Sequence, residues 1–330
     1  MSREGFCQKS AAFCGGGGAG GGRAVCYGLP FGALGVAGII AHFFRRGGRF
    51  GVVALFEVRA VMDVVRVGGR AFWRLLWVFV RRDVREQYAG TMMGNVWALA
   101  QPALLVLIYW WVFSVVWSLK VPGMGARASD EVSFIVFLLS ALLPWLAFQD
   151  AVNKAAGALL ARADVLRHGQ FPAEIFVLAR VLAAHGVYAA LMVVYVLVSR
   201  WAVVLDAPLV LPGLVLLFAV QVVVACAVGL LVAAFSVYLR DLPHVLSMAL
   251  MAVFFTSPVL FPMAQVPEHL QRWVWVNPFT AFSQGYHMLL LGGQWPSWGV
   301  WAFVVCLAAV LCWLGWAVFV RLRPGFADVL

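Results

Sequence analysis

Charge is what this chain has least of. Asp, Glu, Lys and Arg make up 12% of its 330 residues, against 64% hydrophobic. A soluble globular domain carries about 25% charged residues, so this composition excludes an ordinary soluble chain. Lysine is scarcest: Lys9, Lys120 and Lys154 are the three, and none follows a glycine. The phosphate-cradling G-x-x-x-x-G-K-[ST] loop is therefore absent, and any ATP-driven work must draw on another subunit. Neither an H-E-x-x-H pair nor a G-x-S-x-G elbow occurs. Cys7, Cys14, Cys26, Cys226, Cys306 and Cys312 form no C-x-x-C pair, so zinc-site and disulfide-framework spacings are both missing. Asp83, Asp150, Asp164 and Asp241 fall in separate stretches, whereas a hard-cation site wants converging carboxylates. No catalytic residue, metal or cofactor is expected on this chain.

What the chain does have is long apolar runs. Six stand out, at residues 96–119, 132–151, 175–198, 209–239, 245–263 and 298–320. Each is long enough, or nearly so, to cross about 30 Å of hydrocarbon as a helix, which satisfies its own backbone hydrogen bonds there. The expected fold is an all-α integral membrane protein with six transmembrane helices. An amphipathic interfacial helix precedes them, and re-entrant half-helices lie between spans five and six. Residues 1–69 read as a basic, glycine-rich extension and residues 70–330 as the membrane domain.

The net charge of +10 is uneven. Arginines crowd ahead of the first span, from Arg23 to Arg85. Lys154, Arg162 and Arg167 follow span two, Arg240 follows span four, and Arg321 and Arg323 follow span six. The alternate loops are poorer in cations, so both termini are expected in the cytoplasm. With the arginines beside membrane segments, anionic lipid and a cytoplasmic partner are the expected counter-charges rather than nucleic acid.

The extension is irregular. Residues 15–22 are a glycine tract broken by one alanine, which reads as a linker, and residues 24–44 are apolar without a clear cap or cleavage site. Met62 is accordingly the expected natural start. Residues 52–66 are amphipathic, and residues 70–88 more strongly so. In the latter, Phe72, Leu75, Leu76, Phe79 and Val80 make an apolar stripe, with Arg74, Arg81, Arg82, Arg85 and Glu86 on the polar side. Such a helix is expected in the headgroup plane; the competing reading is a bundle helix with a solvent face.

Four breaks interrupt the apolar runs. Residues 82–102 pass from charge through small residues into span one, with Pro102 one to two turns inside. Arg162, Asp164, Arg167 and His168 precede Pro172 and Glu174, which suit the start of a helix. Arg240 and Asp241 mark a turn on the same face, where they would cap helix ends or contact another protein. Pro258, Pro262, Pro267, Asn277, Pro278, Gly292, Gly293 and Pro296 punctuate the opposite side. Half-helices between such prolines are tolerated at membrane depth where they line a cavity or are covered by protein. Inside the spans only Arg180 and His185 ionise. Arg180 is expected to snorkel and His185 to be a hydrogen-bonded packing group. Buried coupling-ion sites are not evident, which weakens a solute-carrier reading.

The breaks carry a resemblance. R-D-V-R-E-Q-Y-A-G-T-M-M-G-N-V-W-A-L-A-Q-P (residues 82–102), F-P-A-E (171–174), Y-L-R-D-L-P-H (238–244), S-P-V-L-F-P (257–262) and N-P-F-T (277–280) occur in order. Together with the six-span plan they resemble the membrane subunit of type-2 ABC exporters, nearest the branch exporting O-antigen, teichoic acid or capsular polysaccharide. The resemblance covers about residues 70–325, and the extension has no counterpart in it. It implies a homodimeric permease of the bacterial inner membrane, moving a polysaccharide or lipid-linked glycan. Two separate ABC ATPase subunits would bind the ATP and magnesium. Arg81, Arg82, Asp83 and Arg85 would lie in the interfacial or gate helix. Arg162, Asp164, Arg167, His168, Arg240 and Asp241 would contact the ATPase. The outer gate would include Pro258, Pro262, Asn277 and Pro278. Tyr109, Trp110 and Phe113 would line the path, since sugar rings stack on aromatic faces; Trp111 is a further candidate, and Trp117 fits the interfacial belt. Two other functions remain open: export of a small lipophilic drug or lipid, and an enzyme of lipid-linked sugar metabolism.

Overall fold

The computed structural model describes residues 69–87, 90–94, 96–117, 120–121, 132–167, 172–201 and 210–330. All of them fall in one of two units, Glu57–Leu330. The expected natural start at Met62, the apolar run at 24–44, the amphipathic stretch at 52–66 and His168 lie outside the described residues.

Helix α1 (Gly69–Glu86) forms where the apolar stripe predicts it. That stripe meets protein rather than lipid: Leu76 and Val80, with Phe72, Leu75 and Phe79, pack on Ile175, Ala179 and Ala183. The stripe is covered by the helix to which these three belong. Gly90 (φ 84°) and Gly94 (φ 52°) then turn the chain with left-handed backbone that side chains rarely adopt. Helix α2 (Val96–Trp110) contains Pro102 and runs on as a π-helical segment, Trp111–Val116. Trp117 N–H donates to Val112 O at 3.0 Å, the five-residue reach of a π turn.

A two-residue antiparallel pair, Lys120–Val121 with Val132–Ser133, leads into α3 (Phe134–Ala156). Helix α3 is the centre of the bundle: 67% of its apolar window is buried, against 11% for α2. Short 3₁₀ and α turns, Leu160–Arg162 and α4 (Ala163–Arg167), connect it to α5 (Ala173–Trp201). Helix α6 (Val210–Tyr238) packs against α3, α5 and the last long helix, α10 (Trp298–Leu322). The α6–α10 approach needs Gly315, where a Cβ would stand 2.5 Å from Ala227 O; small residues let membrane helices close to such distances.

Among the described residues, five helices are long and apolar enough to cross a membrane. The fifth expected span differs. Instead of residues 245–263, the helix is α7 (Leu242–Thr256), 15 residues long, or about 22 Å at the α-helical rise. Ser257 ends it in extended backbone (φ −85°, ψ 146°), because a residue before proline is pushed out of the helical region. After a 3₁₀ turn, Met263–Gln265, come two short helices, α8 (Glu268–Val276) and α9 (Phe279–Leu290). Helix α8 buries no residue, whereas α9 buries Phe279, Phe282, Tyr286 and Leu289 against α3 and α6. The chain closes with a 3₁₀ turn, Arg323–Gly325, and α11 (Phe326–Val329).

Candidate functional site

The charged breaks come together at one end of the bundle. Asp83 of α1 faces Arg180 of α5, Nε to Oδ1 3.4 Å. Arg180 also donates from Nη1 to Lys154 O at 3.3 Å, so it is paired rather than reaching alone for the interface. Lys154 Nζ in turn donates to Asp150 Oδ2 at 2.6 Å and to Gln87 Oε1 at 3.1 Å. The Glu86 carboxylate accepts from Arg82, one turn back on α1, and from Arg162, just ahead of α4. The Arg82 hydrogen bond, then Arg162, holds the Glu86 carboxyl below its ordinary value of 4.5, partial desolvation opposing. Phe79, Asp83, Ala158, Arg162, Phe176, Ala179 and Arg180 line the crevice between these elements. Residues expected in the gate helix and in the coupling loop are thus physically joined.

The next layer is the α4 turn and the chain's last residues. Arg167 donates to the Leu330 carbonyl. Phe326 is buried, with ring centroids 5.5 Å from Phe319 and 6.2 Å from Tyr238. The Tyr238 hydroxyl donates to Leu322 O at 3.0 Å. Glu174, only 2% exposed at the start of α5, faces Arg323 at 3.5 Å. Arg240 and Asp241 stand on the neighbouring turn, both exposed. The Asp241 carbonyl accepts from His244 N–H at 3.1 Å, but its side chain makes no capping bond. Asp164 is exposed.

The aromatics of α2 divide. Tyr109 and Phe113 stack on each other (6.0 Å, 20°) and turn toward the core, where Phe113 meets Phe134 at 4.8 Å. Trp110, Trp111 and Trp117 are exposed on the bundle surface. His185 Nδ1 lies 2.9 Å from Val181 O, the expected packing histidine.

At the opposite, proline-rich end Asn277 is a junction. Its amide donates to Val253 O (2.8 Å), Thr256 Oγ1 (2.9 Å) and Ser257 Oγ (2.8 Å), and its oxygen accepts from Phe279 N–H (2.9 Å). The end of α7 and the start of α9 are tied through one side chain. Pro258 and Pro262 are buried, while Pro278, which precedes α9, is exposed. One polar pair escaped the sequence reading. Gln221, fully buried in α6, donates to Pro144 O of α3 at 2.8 Å and accepts from the Tyr286 hydroxyl of α9 at 2.9 Å. A lone glutamine amid an apolar run was the available signal.

The profile of the ABC-2 type transporter family matches residues 74–291, from α1 into the turn after α9. The chain belongs to that family. Among similar proteins, the O-antigen export system permease protein RfbA of Myxococcus xanthus is 28% identical over 280 residues, covering 82% of this chain and 99% of that protein. A namesake from Klebsiella pneumoniae is 23% identical, covering 78% and 95%. The polysialic acid transport protein KpsM of Escherichia coli is 23% identical, covering 60% and 73%. The match thus spans nearly the whole length of the two O-antigen export permeases and about three-quarters of KpsM. Its ionic junction of α1, α5 and Arg162 lies inside the matched region, as does the Asn277 junction.

Proposed function

We propose that this chain is the permease subunit of an ATP-driven polysaccharide exporter in the bacterial inner membrane. The observation that carries the reading is the match, nearly end to end, with the O-antigen export permease of Myxococcus xanthus. The functioning unit is a homodimer with two separate ATPase subunits, which bind and hydrolyse ATP. Residues 1–69 form an N-terminal extension to the membrane domain, residues 70–330.

Arg162, Asp164, Arg167, His168, Arg240 and Asp241 form the ATPase-facing surface. The exposure of Arg240 and Asp241 supports this. Closure of the ATPase pair pushes on α4, and the Arg162–Glu86 and Arg180–Asp83 links carry the displacement to α1. Such a change in packing between two arrangements is how a permease converts a partner's closure into opening. Helices α8 and α9 form the outer gate, with Asn277 making their movement follow α7. The sparsely buried α2 faces the second copy, so Trp110 and Trp111 line the path while Tyr109 and Phe113 stiffen its wall. Sugar rings slide over such aromatic faces through their C–H surfaces, without needing charge.

Deleting the gene in its source bacterium tests this reading. Lipid-linked glycan accumulating inside, with surface polysaccharide lost and restored by the intact gene, supports it. Unchanged surface polysaccharide with altered drug or lipid efflux overturns it.

A further inference from the structure

Helix α1 sorts its charges by face. Its two carboxylates are both engaged, Asp83 half-buried against Arg180 and the more exposed Glu86 held by Arg82 and Arg162. Its apolar ridge is covered by α5. What remains outside is not the expected stripe but a second, unlike surface. At 100° per residue, Trp73, Trp77, Arg81, Arg74 and Arg85 fall within one sector of about 120°. Trp73 is 67% exposed and Trp77 56%. The Arg81 guanidinium lies over the Trp77 ring, 5.2 Å from its centroid. Among the described residues, no carboxylate pairs with Arg74, Arg81 or Arg85.

Three cations without a carboxylate among the described residues, interleaved with two exposed indoles, fit neither open water nor a hydrocarbon interior. Tryptophan and arginine coexist at the headgroup layer, where the ring meets the acyl boundary and the guanidinium meets phosphate. The helix is placed at that depth by its own contacts. It packs along Ile175–Ala183, the first turns of the long apolar α5, and leads through a short turn into α2.

We infer that the Trp73–Trp77–Arg74–Arg81–Arg85 face binds the phosphates of anionic phospholipids in the leaflet it abuts. A guanidinium can chelate a phosphate with two parallel N–H donors, and a polybasic face draws anionic lipid from a mixed bilayer. Lipid charge then biases the same helix that is linked to Arg162. The inference rests on insertion of the bundle in a membrane, not on the cargo it carries.

The test is hydrogen exchange on the full chain in nanodiscs of phosphatidylcholine alone or mixed with phosphatidylglycerol. The anionic lipid should slow exchange across residues 73–87 at least several-fold. High salt should erase that difference. The triple variant R74Q/R81Q/R85Q should lose it too, with exchange in α10 unchanged as the control for folding. Equal protection of wild type in both lipids overturns the inference, as does a lipid effect that survives in the triple variant. If the wild type shows no lipid effect and the triple variant sheds a co-purifying ATPase in neutral nanodiscs, the face docks protein and the inference fails. None of these readouts depends on transport, so failure of the export reading would leave the result intact.

Discussion

Asn277 is the single side chain on which most local order depends at the proline-rich end. It fills both its donor and acceptor capacity against α7 and α9, and it is nearly buried. Asn277→Ala would take away the bond that Ser257 Oγ accepts and leave the Phe279 N–H without its acceptor, and an unmade buried bond costs about 1–3 kcal/mol. The expected result is a lower unfolding temperature in detergent. Asn277→Asp should be worse than a neutral isostere, because a carboxylate has no N–H for the Val253 carbonyl. Glu86 is the residue whose effect depends on pH. Its pKa is depressed on folding, so its bonds contribute fully above the ordinary 4.5 and are lost as pH falls through the lowered value. Proteolysis of α1 by an acid-tolerant protease should therefore stay flat from neutral pH toward 4.5 and rise below it. Glu86→Gln should raise it near neutral pH, by about 1 kcal/mol or less of local stability since this pair is largely exposed, and should remove the rise at low pH.

At the scale of elements, length and hydropathy made the long helices legible. Helices α3, α5, α6 and α10 begin and end close to where the apolar runs do, because a hydrocarbon-spanning helix must carry that signature. Periodicity found α1 as well, but it reports that a face is apolar, not what covers it. Only the packing on Ile175, Ala179 and Ala183 settles that. The shortening of α7 was encoded in Ser257-Pro258, a proline effect outweighed by the apolar residues around it. The Gln221–Tyr286 bond spans 65 residues of sequence, a separation local patterns cannot register. The α11 segment shows the same limit: nothing in 326–330 predicts that Phe326 will be buried against Tyr238 and Phe319. It also carries a prediction. With Arg167 bonded to Leu330, α11 holds α4 in place. Phe326→Ala should loosen α4, lowering transport per ATP hydrolysed in the reconstituted complex, and Phe326→Leu should restore most of it. Equal coupling ratios in all three would remove α11 from the coupling path.

At the scale of the whole molecule, charged groups differ in how they are used. Where α1 meets α4 and α5 they have internal partners, among them Arg162, Arg167, Arg180 and Arg323. Arg240 and Asp241 have no side-chain partner among the described residues and project from a turn anchored beneath by Tyr238. That contrast decides which substitution tests assembly cleanly. Replacing Arg167 disturbs the α4–α11 contact as well as any docking surface, so a loss of function there would be ambiguous. The charge reversal R240E/D241K removes no internal bond, and surface changes of that kind usually alter stability by less than about 0.5 kcal/mol. It should leave the unfolding temperature and the helical circular dichroism of the purified chain unchanged while reducing recovery of the ATPase subunit in a mild-detergent pull-down. A compensating charge reversal on the ATPase should restore recovery, because like charges brought together at an interface are repulsive and re-pairing removes the repulsion. Undiminished recovery with R240E/D241K would move the docking surface away from this turn, leaving α4 as the remaining point of contact.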